Sequence, residues 1–89
     1  MIMSEEKLQE IGIVDHYFAK ANVIVLSLTG SLTIGDRIRI IGATTDFEQI
    51  VTSMEIEHKK IERSEAGSSV GLKVEKRARE NDLVFKVVG

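Results

Sequence analysis

The chain has 89 residues, room for one domain, and a domain this small has little stability to spare. Cysteine is absent, which excludes a disulfide framework or thiolate metal site and leaves packing as the source of stability. With 43% hydrophobic and 29% charged residues and a net charge of −2, the composition is that of a soluble globular domain and excludes a strongly basic, histone-like protein.

Residues 1–10 read as a flexible tail, and 11–89 as a single domain. Acids at Glu5, Glu6 and Glu10 stand where a signal peptide would be apolar. The apolar runs, such as Val23–Leu26, are too short to cross a bilayer, so a soluble, cytoplasmic protein is expected.

From Ile11 the apolar residues alternate or cluster with the short period of strands, and six are predicted. The first, about Gln9–Phe18, places Val14 and Phe18 on one face and Ile11, Ile13 and Tyr17 on the other. The second, Val23–Leu28, aligns Ile24, Leu26 and Leu28. In the third, Arg37–Ile41, Ile38 and Ile40 point inward and Arg37 and Arg39 outward. The fourth is long, about Phe47–His58. Phe47 and Val51 break its parity with Ile50 and Met54, as at a bulge. Glu55 and Glu57 share its outer face, where carboxylates are ordinarily solvated. The fifth, Ser69–Val74, buries Val70, Leu72 and Val74 and turns Lys73 outward. Lys76–Glu80 is too short for an independent helix and reads as a turn before the sixth strand, Leu83–Val88. Without amphipathic helices between strands, the fold class is all-β: a small antiparallel β-barrel, because closure removes exposed edges.

Several turns carry a common signature. Leu32-Thr33-Ile34-Gly35-Asp36, followed by Ile38, Ile40 and Gly42, resembles the opening of the β-barrel domain 2 of translational GTPases such as elongation factor Tu and initiation factor two. Val51-x-x-Met54-x-Ile56, Ala66-Gly67-x-x-Val70-Gly71 and Asp82-Leu83-Val84 resemble its later landmarks, with Asn81 where glycine is usual. The likeness spans roughly residues 12–87. It implies structural roles in turns for Gly35, Asp36, Gly42, Gly67, Gly71 and Asp82, and a translation-related module contacting RNA or a ribosome-associated protein. The opening departs from that family, with His16-Tyr17-Phe18-Ala19-Lys20 replacing a small glycine-containing hairpin. The chain also contains no phosphate-binding Gly-x-x-x-x-Gly-Lys-Ser/Thr loop, so GTP binding is not expected. A similar barrel is attached to collagenase-like peptidase-family proteins, some of which act in RNA modification. That resemblance implies an accessory, protein-interaction subunit of a larger enzyme.

The basic side chains are the main candidates for binding: Arg37 and Arg39 on one strand, Lys59, Lys60 and Arg63 after another, and Lys73 on the fifth, with Lys76, Arg77 and Arg79 at its exit. Brought together, they could contact phosphates; interleaved with acids such as Glu57, Glu62, Glu75 and Glu80, they form an ordinary solvated surface. Tyr17, beside Phe18, is the candidate aromatic contact, since parity sends one of the pair inward. His16 and His58 lack metal-ligand spacing, and no nucleophile elbow surrounds Ser53, Ser64, Ser68 or Ser69. A non-catalytic binding module without metal or cofactor is therefore expected, taking RNA or a larger protein as partner and no membrane.

Overall fold

The computed structural model describes residues 7–88, all of it strand, turn or loop. Ten strands form in chain order: β1 (Lys7–Phe18), β2 (Val23–Leu28), β3 (Leu32–Thr33), β4 (Arg37–Ile41), β5 (Asp46–Ile50), β6 (Met54–Ile56), β7 (Lys59–Ile61), β8 (Arg63–Ser64), β9 (Ser69–Lys73) and β10 (Leu83–Val88). Eight build one antiparallel sheet in the order β5-β4-β10-β1-β2-β9-β6-β7, and β3 pairs with β8. The expected all-β, barrel-like class is observed.

The sheet curls because β1 is bent twice. Its first half pairs with β10 and its second half with β2, with bulges between Glu10 and Gly12 and between Val14 and His16. Each bulge adds a residue on one side of the ladder and sharpens the local twist. The bulges also reset the side-chain parity. Ile11 and Val14 are both buried, Tyr17 packs against the core, and Phe18 faces out at 49% exposure. Simple alternation had placed Phe18 with Val14, and the second bulge is why it does not stand there.

Curling brings β5 towards the exit of β9. There the buried Gln49 spans the gap: its amide Nε2 donates to the Lys73 carbonyl at 2.9 Å, and its Oε1 accepts the Glu75 N–H at 2.8 Å. The enclosed core is aliphatic, with Ile24, Leu26, Ile38, Ile40, Leu72 and Val84 fully buried. These are the inward positions of alternating strands, as the period of two requires.

Two predicted boundaries are corrected. Lys7–Glu10 are not tail but the start of β1, paired with Phe85–Val88; residues 1–6 lie outside the described residues. The long fourth strand is really two. The chain leaves β5 at Val51, whose N–H donates to the Asp36 carbonyl at 2.8 Å and whose carbonyl accepts the Gly35 N–H at 2.8 Å. It re-enters as β6 and folds back at once as β7, with Ile56 opposite Lys59. This break is the physical reason for the parity conflict among Phe47, Ile50, Val51 and Met54. Glu57 and His58 form the intervening tight turn at φ of 50° and 65°, so Glu57 does not share a strand face with Glu55.

The landmark residues have distinct jobs. Gly35 and Gly67 adopt left-handed φ of 97° and 93°, which a side chain resists. The Asp36 carboxylate accepts the Thr33 N–H at 2.9 Å, and the buried Asp82 carboxylate accepts the Arg79 N–H at 2.8 Å. Gly42 lies against that carboxylate so closely that an added Cβ would stand 1.8 Å from Asp82 Oδ1. Gly71 differs from the rest. It lies within β9 rather than in a turn, and a Cβ there would meet nothing closer than 3.8 Å.

Candidate docking trough on the outer face

Strand register, more than any sequence motif, builds a trough on the outer face. On the outer face of β1, β2, β9, β6 and β7 the pairings line up His16 with Val25, Val25 with Gly71, Gly71 with Glu55, and Glu55 with Lys60. A neighbouring row runs from Phe18 through Val23 to Lys73. Gly71 sits in the middle of the first row with no side chain, so the surface dips there. The result is a trough floored by Val23, Gly71 and Ala21 and walled by Glu55.

Its two ends differ. At one end stand Lys20, Lys60 and Lys73; at the other stand Phe18, Val25, Glu57 and His58. The three lysines are exposed and form no ion pair among the described residues. The floor is apolar because Val23 and Val25 occupy outward positions of β2, half-buried where charged residues usually stand. The arrangement offers an apolar depression with a cationic end, which suits recognition by contact.

The predicted binding residues do not form one patch. Arg39 forks onto Asp46 with bonds of 2.8 and 3.0 Å, Arg37 lies 4.0 Å from Glu48, and Arg63 pairs with Glu65 at 2.6 Å. These pairs leave their marks on titration: the hydrogen bond from Arg39 holds the Asp46 carboxyl below its ordinary range, and that to Glu65 raises the Arg63 guanidinium. Lys59 stands at the outer hairpin opposite Ile56. Lys60 and Lys73 meet at the trough, joined by Lys20, which sequence reasoning left out because it lies in a turn far from both in the chain. Tyr17 is packed against the core and its hydroxyl donates to Asn22 Oδ1 at 3.0 Å, so Phe18 is the aromatic that faces out. His16 is taken up locally, with Nδ1 2.9 Å from Glu80 Oε2 and its ring edge-on to Phe18 at 4.5 Å.

No family model matches the chain. An uncharacterized protease of Methanocaldococcus jannaschii is 43% identical over 77 residues, a stretch covering 85% of this chain. The chain spans only 19% of that protein's length. Among solved structures, the C-terminal domain of a putative U32 peptidase from Geobacillus thermoleovorans superposes with a TM-score of 0.82 at 16% identity, covering 88% of this chain and 91% of that domain. Its selenomethionine variant gives 0.81 at 15% identity, covering 85% and 96%. The barrel is thus similar to one found at the end of a peptidase-family protein. This corrects the translation-factor expectation. The resemblance to elongation factor Tu rested on turn landmarks alone, and the proteins the chain is similar to are peptidase-like. The RNA-binding expectation fell with it, and the geometry offers it no single basic face.

No helix among the described residues is long and apolar enough to cross a membrane.

Proposed function

We propose that this chain is a non-catalytic accessory barrel of a peptidase-like protein, acting by contact with the larger polypeptide that carries the chemistry. The observation that carries this reading is the 43% identity over 77 residues to a stretch amounting to 19% of a protease. The remaining four-fifths of such a protein leaves ample room for a separate catalytic unit. Two further features support it. Among the described residues the barrel interior is packed with mostly aliphatic side chains, which leaves little room for a substrate. The trough presents lysines and valines on one face, a composition fitted to holding a partner's surface.

The test is recovery of the tagged chain from its native cells, at low and at high salt. A peptidase-family polypeptide is expected in stoichiometric amount under both conditions, since apolar contacts resist salt. Recovery of the chain alone, or hydrolysis of peptide substrates by the purified chain, contradicts the reading.

A further inference from the structure

We infer that the trough over Gly71 receives an extended peptide segment of the larger polypeptide, one that places an apolar side chain in the dip and an acidic side chain among Lys20, Lys60 and Lys73. The assignment of the segment to that polypeptide rests on the accessory-barrel reading.

The shape comes first. Gly71 is a strand residue with ordinary backbone geometry, so the fold does not need a glycine there for its φ. Its open side faces outward between Val23 Cγ1 and the Glu55 backbone, each 3.8 Å from where a Cβ would stand. A Cβ there would make only ordinary van der Waals contacts with the barrel. The dip is therefore a vacancy that the fold tolerates and does not require, and the Val23 and Ala21 side chains on its floor favour an apolar occupant.

Charge sets the direction. Lys20 from the β1–β2 turn, Lys60 from β7 and Lys73 from β9 converge on one end, against the single carboxylate of Glu55. The opposite end carries Glu57 beside His58. A segment with its acid at the lysine end and no acid at the other satisfies both. A second copy would meet these lysines with a trough that itself carries three lysines against two glutamates, whereas an acidic segment brings no cation.

The experiment uses isotope-labelled chain and short synthetic peptides in which a leucine carries aspartates on one side only, in either order, with lysine-for-aspartate and serine-for-leucine peptides as controls. An aspartate–leucine peptide is expected to shift the amide resonances of Val23, Val25, Gly71 and Lys73 more than any others. Lysine for aspartate, or serine for leucine, should weaken binding roughly tenfold or more. Gly71→Val fills the dip, and binding should be lost while the melting temperature stays level or rises. Lys60→Glu with Lys73→Glu should weaken it as well, with the spectrum of the barrel otherwise retained.

Shifts elsewhere, equal response to the lysine-for-aspartate peptide, no response to any of the peptides, or unchanged binding by Gly71→Val would each overturn the inference. So would concentration-dependent self-association mapping to the same residues, which would make the occupant a second copy. The peptides probe the trough alone. If they bind there but no peptidase-family polypeptide is recovered from cells, the accessory reading fails and the trough's specificity stands.

Discussion

At Gly42 the space where a side chain would stand is occupied by the Asp82 carboxylate, whereas at Gly71 it opens to solvent. Gly42 lies in the turn after β4 and Gly71 within β9, and only the first is a requirement of the fold. The same contrast divides the charged faces. Around β4 and β5 the arginines are matched by Asp46 and Glu48; around β9 and β7, Lys60 and Lys73 form no ion pair among the described residues. The first face is satisfied within the barrel, and the second is the one proposed to receive a partner.

Substitutions sharpen this contrast. The largest effect is expected for Gly42→Ala. The methyl must displace Asp82 and free the Arg79 N–H it accepts, costing about 2–3 kcal/mol in urea unfolding. Gln49→Ala removes the two bonds between β5 and the β9 exit, leaving a carbonyl and an N–H without partners. About 2 kcal/mol should be lost, read in the same assay. Gly71→Ala should do the reverse and stabilise by roughly 0.5 kcal/mol, because the added methyl stiffens the unfolded chain and meets only ordinary contacts. A loss above about 1 kcal/mol at Gly71 would erase the distinction between the two sites.

The smallest effect concerns pH. The Asp46 carboxyl is held low by its bond to Arg39, so its contribution to stability is present above the ordinary carboxylate pKa and fades as pH falls through the lowered folded value. The pair is exposed, so the change in melting temperature should be slight. Carbon-detected titration should place the Asp46 midpoint below that of free aspartate, and Arg39→Gln should move it back up.

Much of the barrel was legible because period-two alternation carries it: Val23–Leu28, Arg37–Ile41 and Ser69–Lys73 all bury the parity that the sequence shows. The β6–β7 hairpin was hidden because its turn residues, Glu57 and His58, take positive φ without being glycine or asparagine. Strands β3 and β8, two residues each, are too short to show a pattern. The bulge that turns Phe18 outward leaves a trace only in pairing register. The trough was illegible for the same reason: Val25, Gly71, Glu55 and Lys60 become neighbours only once four strands are in register. Turn landmarks pointed to the right shape and the wrong kin, since Gly35, Asp36 and Asp82 serve the geometry of a tight barrel whatever the barrel is for.

The most direct test is hydrogen–deuterium exchange of this chain free and bound to the larger polypeptide recovered with it. Protection is expected at Val23–Val25 and Ser69–Lys73, with the amides around Arg37 and Asp46 unchanged. Protection confined to β4 and β5, with the Gly71 region exchanging as in the free chain, would contradict the account.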